Sequence, residues 1–458
     1  MLTLPSVDVE SLRRREFPGL KRQGLAYLDY TGAALPPASL LRRDFRRLLS
    51  GVRGNPHSVS VPSLASTESI ERARRLTLAF VGADPAVYDV VFTANATGAM
   101  RIVAEGFPFG RGSRLVLAAD NHNSVNGLAE PAWKANATVA VAPLADDLRA
   151  ADPMPWLEPP VSPSLFAFAA QSNFSGVRHP LQWVRAAQSR GYRVLLDAAA
   201  YVPTARLDLS TAPADFVALS FYKVFGYPTG VGALVARRDA LAELERRYFG
   251  GGTVDAVSLP HRVVHRKPAA EAFEDGTANF LAMDAVGDGI AWMDGLGREA
   301  VAAHGARLTR YLLETLAGFG DRVVVYGPRE HTARGGTVAF NVRRRGAIVP
   351  YEEVEDAARR RAIAIRGGCF CNPGAAAAAF GFDTAKTGEC LRRPFSVEAL
   401  RRCMPGKAVG AVRASVGLAT TEDDVDRLGE LVAAMIAHES ARERAGGVTV
   451  TQVEPLTN

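Results

Sequence analysis

Lys223 closes an apolar run, FVALSFYK (216–223), and Asp197 lies inside another, RVLLDAAA (193–200). A lysine at the end of a core strand is shielded from water. Burial lowers the pKa of an amine and frees its lone pair, as Schiff-base chemistry with an aldehyde requires. Taken alone, a lysine snorkelling from a strand end gives the same pattern. A buried carboxylate at Asp197 needs a cationic partner, and a protonated ring nitrogen would serve. A ring held in that state is an electron sink for a neighbouring carbanion.

Polar residues gather at other strand ends too. DVVFTA (89–94) runs into Asn95, Ala96, Thr97 and Gly98 and then a helical stretch. Free amides around Ala96 and the Thr97 hydroxyl form a phosphate cradle there, although the same turn serves as an ordinary helix cap. Ser220, three residues before Lys223, adds a second hydroxyl. RLVLAAD (114–120) leads to His122, an imidazole able to stack on an aromatic ring or move protons, or simply a satisfied polar residue. SLFAFAAQSN (164–173) ends in Gln171, Ser172 and Asn173, groups suited to a phenolic oxygen or a carboxylate. Cys371, in the glycine-flanked stretch GGCFCN, reads as a nucleophile on a mobile loop, set against a buried apolar cysteine.

The elements that must position these groups follow from hydrophobic patterning. Between residues 85 and 260, apolar runs alternate with amphipathic stretches; TVAVAPL (138–144) and GALVAR (232–237) complete the set of strands. Runs apolar on both faces suit a parallel sheet covered by helices, an α/β, doubly wound pattern whose ligands bind beyond the strand C-termini. Residues 63–83 read as a helix, and 284–319 as a long helical segment broken near Gly295–Gly297. Strands at 323–327, 337–342, 362–368 and 411–417 and a helix over 422–440 describe a smaller α+β unit. The expected organisation is an N-terminal arm (1–21), a large α/β domain (22–290), a small C-terminal α+β domain (291–445) and a tail (446–458).

Composition narrows the class. With 48% hydrophobic and 22% charged residues the chain is globular, and its 458 residues exceed the usual single domain. The net charge of +6 is dispersed over arginine clusters without interleaved aromatics, which argues against nucleic acid. No apolar run is long enough to span a bilayer, and arginines interrupt the N-terminal stretch before any signal-peptide core, so a cytoplasmic location is expected. Four cysteines in the last quarter predict neither a disulfide framework nor paired zinc knuckles.

The motifs YLDYTGAAL (27–35), GNPHS (54–58), VVFTANATGAM, DNHNSV, AQSNFSG, LLDAAAYVPT, SFYKVFGYPTG, FEDGTANF (273–280), RGGCFCNPGA (367–376) and GAVRASVG (410–417) occur in an order that resembles a class V aminotransferase-fold enzyme of the cysteine desulfurase branch. SFYKVFGYPTG, FEDGT and GCFCN are most similar to the NifS-like domain of molybdenum cofactor sulfurases. The resemblance covers about residues 25–435 and implies the fold type I, aspartate-aminotransferase-like architecture and pyridoxal 5'-phosphate. It implies Lys223 as the lysine that takes the cofactor aldehyde, Asp197 as partner of the ring nitrogen and His122 as the ring stacked on it. Ala96, Thr97 and Ser220 are implied phosphate binders, and Thr277 would reach the phosphate of a neighbouring subunit in a homodimer. Asn173 is implied near the phenolic oxygen and substrate, Arg413 on the substrate carboxylate with Arg366 nearby, and Cys371 as the nucleophile that takes up sulfur as a persulfide.

The implied reaction removes sulfur from L-cysteine, giving alanine and sulfur for an acceptor that the sequence leaves open. Those sulfurases carry a further MOSC domain, and none is expected within these 458 residues. Tyr222 stands where iron–sulfur desulfurases place a histidine, and Ala200 where they often place a glutamine, both as in the sulfurases. Gly367 and the alanines at 375–379 depart from the pattern. The alternative is a related lyase, decarboxylase or aminotransferase acting on selenocysteine, cysteine sulfinate or aspartate.

Overall fold

The computed structural model describes residues 8–392 and 394–437. Seven strands form the central sheet: β1 (Tyr88–Thr93), β2 (Arg114–Ala118), β3 (Thr138–Ala142), β4 (Ser164–Ala169), β5 (Tyr192–Asp197), β6 (Phe216–Ser220) and β7 (Gly232–Arg237). Their order is β1-β7-β6-β5-β4-β2-β3. The pairs from β6 through to β3 are parallel, and β7 alone runs against both of its neighbours. Strands β4, β5 and β6 are buried along nearly their whole length, with Phe166, Phe168 and Val194 on one face and Leu165, Leu195 and Phe216 on the other. Two apolar layers, one per face, are what a sheet covered by helices requires.

β6 stops at Ser220, three residues short of the expected end. Lys223 lies in a helical turn, Phe221–Phe225, closed by Gly226 at φ +77°. Phe221, Tyr222, Val224 and Phe225 have the composition of a strand, but the left-handed glycine allows the backbone to be capped helically. The phosphate turn packs from the other side of the sheet. A Cβ on Gly232, the first residue of β7, would lie 2.5 Å from the Asn95 Cα, so only glycine lets the two backbones meet.

A second, antiparallel sheet holds β8 (Val323–Tyr326), β9 (Thr337–Arg344), β10 (Arg366–Gly368) and β11 (Ala411–Ser415) in the order β8-β9-β11-β10. The expected strand over 362–368 is two pieces: Ile363–Ala364 pairs with Ala26–Tyr27, and only Arg366–Gly368 joins β11. Ala26 and Leu28 lie in the core of this C-terminal layer with Leu308, Phe340 and Leu428. The long helical segment breaks at Gly297, between Met283–Leu296 and Arg298–Ala317. Leu12, Phe17 and Leu20 of the N-terminal arm pack with Ala419, and Arg13 pairs with the buried Asp424.

Cys390 and Cys403 form a disulfide, contrary to the sequence expectation. The helices Thr384–Leu391 and Val397–Cys403 fold against each other, which brings two thiols 13 positions apart to a Cα separation of 6.0 Å. The tail at 446–458 lies outside the described residues.

Candidate active site

The helix Ala96–Gly106 begins just past β1 with Asn95 as its cap, the Asn95 side chain accepting from Gly98 N–H at 3.0 Å. The Ala96 amide donates to Ser220 Oγ at 2.8 Å. Thr97 Oγ1 lies 2.8 Å from Ser124 Oγ, which is itself 2.9 Å from His122 Nδ1. The Ser124 amide donates to the same His122 nitrogen, so the neutral ring carries its proton on Nε2. Amide, three hydroxyls and a helix N-terminus thus converge at one point, the donor set a phosphate needs.

Asp197, at the end of β5, is 8% exposed and accepts the Ala199 amide at 3.0 Å. Atoms crowded round the Lys223 amine desolvate it and push its pKa down, with Asp197 opposing and Arg413 and Arg366 adding to the fall. Burial likewise lowers His122, again against Asp197. One carboxylate is therefore felt by both the amine and the imidazole, and the three groups bound one volume. Phosphate donors at one end, a buried carboxylate at the other and a desolvated amine between them fit pyridoxal phosphate.

Arg413, on β11, is 3% exposed and donates Nη1 to the Asn173 carbonyl at 3.0 Å and Nη2 to Asp29 Oδ1 at 3.0 Å. Its guanidinium lies 4.8 Å from the Phe370 ring centre. Its Nε is buried without a hydrogen-bond partner, an orphan donor that a substrate carboxylate would satisfy. Arg366, opposite Arg413 in the β10–β11 register, clamps Asp29 through Nε and Nη2, at 3.1 and 2.7 Å on Oδ2.

Cys371 is exposed and free. The expected mobile loop is instead a tethered one. The Cys371 carbonyl accepts the Asn123 amide at 2.7 Å, and the Phe370 carbonyl accepts Asn173 Nδ2 at 2.7 Å. Asn372 Nδ2 donates to Asp120 Oδ1 at 2.6 Å and to Asn173 Oδ1 at 3.0 Å. Phe370 and Cys371 both sit at φ 56°, a left-handed backbone that costs roughly 1–3 kcal/mol per residue and persists only under such tethering.

Several of the other polar groups named from the sequence already have partners within the chain. The Asn173 amide is engaged by the cysteine loop, so its contribution is to hold Phe370 and Asn372. Gln171 turns away to Ala200, Arg178 and Thr204, and Ser172 donates to the buried Asp120. Thr277 is exposed and accepts from Asn55 Nδ2 at 3.3 Å within its own chain. Sequence reasoning passed over Asp29, Asp120, Ser124 and Asn372. Asp120 ends an apolar run just as Asp197 does, and that signal was available.

Residues 26–428 match the model for aminotransferase class V. A molybdenum cofactor sulfurase from Bos taurus is 35% identical over 94% of this chain and 52% of its own length, and one from Chaetomium globosum is 40% identical over 93% and 57%. The chain spans about half the length of the curated relatives it matches. The apo cysteine desulfurase of Thermococcus onnurineus NA1 has the same fold, with TM-score 0.80 and 23% identity over 96% of this chain and 100% of that one. The cradle, the desolvated lysine and the match across both sheets lead to one assignment: the chain belongs to the class V aminotransferase family.

Proposed function

We propose that this chain is a pyridoxal-phosphate-dependent cysteine desulfurase, taking sulfur from L-cysteine onto Cys371 and releasing L-alanine. The observation that carries the reading is the exposed Cys371 thiol, whose loop is tied to Asn123, next to His122, and to Asn173, whose carbonyl accepts from Arg413. Pyridoxal phosphate, when bound, supplies an electron sink at the substrate α-carbon. Ala96, Thr97 and Ser220 would hold its phosphate, Asp197 would pair with its ring nitrogen, His122 would cover its ring and Lys223 would take its aldehyde. Arg413 grips the substrate carboxylate through the geometry lysine lacks. The lowered Lys223 pKa suits that amine to accept the α-proton. Cys371, as thiolate, attacks the substrate sulfur; the sulfur–sulfur bond forms as the carbon–sulfur bond breaks, and the β-carbon keeps that electron pair and takes up a proton to become the methyl group of L-alanine.

A homodimer belongs to the same reading. Leu41, Phe45, Leu48 and Leu49 leave an apolar stripe exposed on the helix Ala38–Ser50, which supports burial against a second copy, with Thr277 reaching the partner's phosphate. Among the described residues no helix is long and apolar enough to cross a membrane. The sulfur acceptor is a protein or small molecule that approaches the exposed thiol.

The test is incubation of the loaded protein with L-cysteine and a thiol, with alanine and sulfide quantified and Cys371 examined by mass spectrometry. Alanine together with an added sulfur on Cys371 is the expected result. Alanine formed by Cys371→Ala at the parent rate would sink the persulfide route. Equal turnover of cysteine sulfinate or aspartate would favour the related lyase.

A further inference from the structure

Two guanidinium groups enter the substrate side of the site, and a single carboxylate lies between them. Arg366 and Arg413 are direct partners across β10 and β11, and both donate to Asp29. Arg366 commits Nε and Nη2 to this carboxylate, while Arg413 gives it one nitrogen. Arg413 reaches the cysteine loop, donating to the Asn173 carbonyl and lying over the Phe370 ring, and Arg366 stands directly across the strands from it. Asp29 is only 9% exposed and arrives from the N-terminal segment, bridged to Ser415 of β11. Gly32 seals the arrangement: a Cβ there would lie 2.5 Å from Asp29 Oδ2 and 2.6 Å from Arg366 Nη2.

We propose that Asp29 is a specificity-determining positioning residue that reserves Arg366 and so limits the site to amino acids with one negative charge. The inference rests on the desulfurase reading and deepens it. Asp29 occupies the fork of Arg366 and one nitrogen of Arg413, and the partnerless Nε of Arg413 is what the α-carboxylate of the substrate finds free. A neutral thiol side chain brings no further charge. A side-chain carboxylate or sulfinate brings a second anion, which must compete with Asp29 for the fork of Arg366 and meets the buried Asp29 carboxylate as a like charge. Cysteine is admitted on this account, and aspartate and cysteine sulfinate are turned away by a residue that does not touch the reacting atoms.

The experiment compares equilibrium binding of L-alanine and L-aspartate to the pyridoxal-phosphate-loaded protein, read from the absorbance of the bound cofactor. In the parent protein L-alanine binds the tighter of the two. Asp29→Asn frees the second guanidinium and shifts the ratio of dissociation constants toward L-aspartate by at least ~10-fold, equivalent to about 1.4 kcal/mol. Asp29→Glu, which keeps the charge, shifts it by less than about 3-fold. Arg366→Gln moves the ratio the opposite way, because Asp29 then opposes a second anion without Arg366 to receive it. This variant also keeps the proposal exposed if Asp29→Asn does not fold. An unchanged ratio in Asp29→Asn, or a shift toward L-aspartate in Arg366→Gln, overturns the proposal. Because binding needs no desulfurisation, a parent protein that fails to form alanine from cysteine would defeat the functional reading while the charge rule is still decided by these ratios.

Discussion

Asn372 Nδ2 donates to Asp120 Oδ1 at 2.6 Å, and neither residue has any exposed surface. The residue after the exposed thiol is thus moored to a carboxylate at the end of β2, and the same carboxylate accepts from Ser172 and lies 3.0 Å from His179 Nε2. Asn372 also caps the helix Pro373–Phe380 by accepting from Ala375 N–H. Replacing Asn372 by alanine removes these two bonds and the one to Asn173 Oδ1, and is expected to cost roughly 1–3 kcal/mol in chemical denaturation. It should also change the alkylation rate of Cys371 by iodoacetamide, since the tether on its loop is lost. A variant with parent stability and parent thiol reactivity would show that this bond does not hold the loop.

Gly32→Ala tests the packing over the Asp29–Arg366 pair. The added methyl cannot fit without moving charged groups that other contacts hold, so a loss of roughly 1–3 kcal/mol is expected. Because Arg413 shares Asp29, the KM for L-cysteine should rise more than kcat falls. Thermal unfolding and steady-state kinetics read the two effects separately.

Arg413→Lys keeps the charge and loses the planar fork. It surrenders the bond to the Asn173 carbonyl, the contact with the Phe370 ring and the orphan Nε together. A fall in kcat/KM of about 100-fold, or roughly 2.7 kcal/mol, is expected. Parent-like kinetics would place the substrate carboxylate elsewhere.

His304 supplies a pH dependence away from the site. Burial, reinforced by Arg307, lowers its pKa from 6.5 to about 4, against the opposing bond to the Thr420 carbonyl. The unfolded chain therefore binds a proton between pH 6.5 and about 4 that the folded chain does not. Stability from this residue is intact above pH 6.5, declines as pH falls through that window and is fully lost below about 4. The loss amounts to roughly 3 kcal/mol, and His304→Gln should flatten it in denaturation curves taken from pH 7 to 4.

How much of this could be read in advance depended on sequence distance. The central strands were legible because β4, β5 and β6 are apolar on both faces, and Asp197 stood out as a charge in such a run. The turn carrying Lys223 was misread because aromatic and β-branched residues dominate it, and a positive φ at Gly226 is a backbone fact that composition does not display. Asp29 and Arg413 are 384 positions apart, and nothing local in YLDYTGAAL announces that its carboxylate will lie beneath two arginines of another sheet. The disulfide was missed for a related reason: the approach of Cys390 to Cys403 depends on how two short helices fold together.

The left-handed pair Phe370–Cys371, pinned on each side, has a consequence for delivery. On the proposed reaction, a sulfur atom carried at Cys371 sits on a backbone held at the surface beside the segment 122–124. Any receiver must bring its own reactive atom to that point. Selection among receivers then becomes a matter of which molecular shapes can dock over the turn, and the recipient surface, more than the donor loop, decides where the sulfur goes.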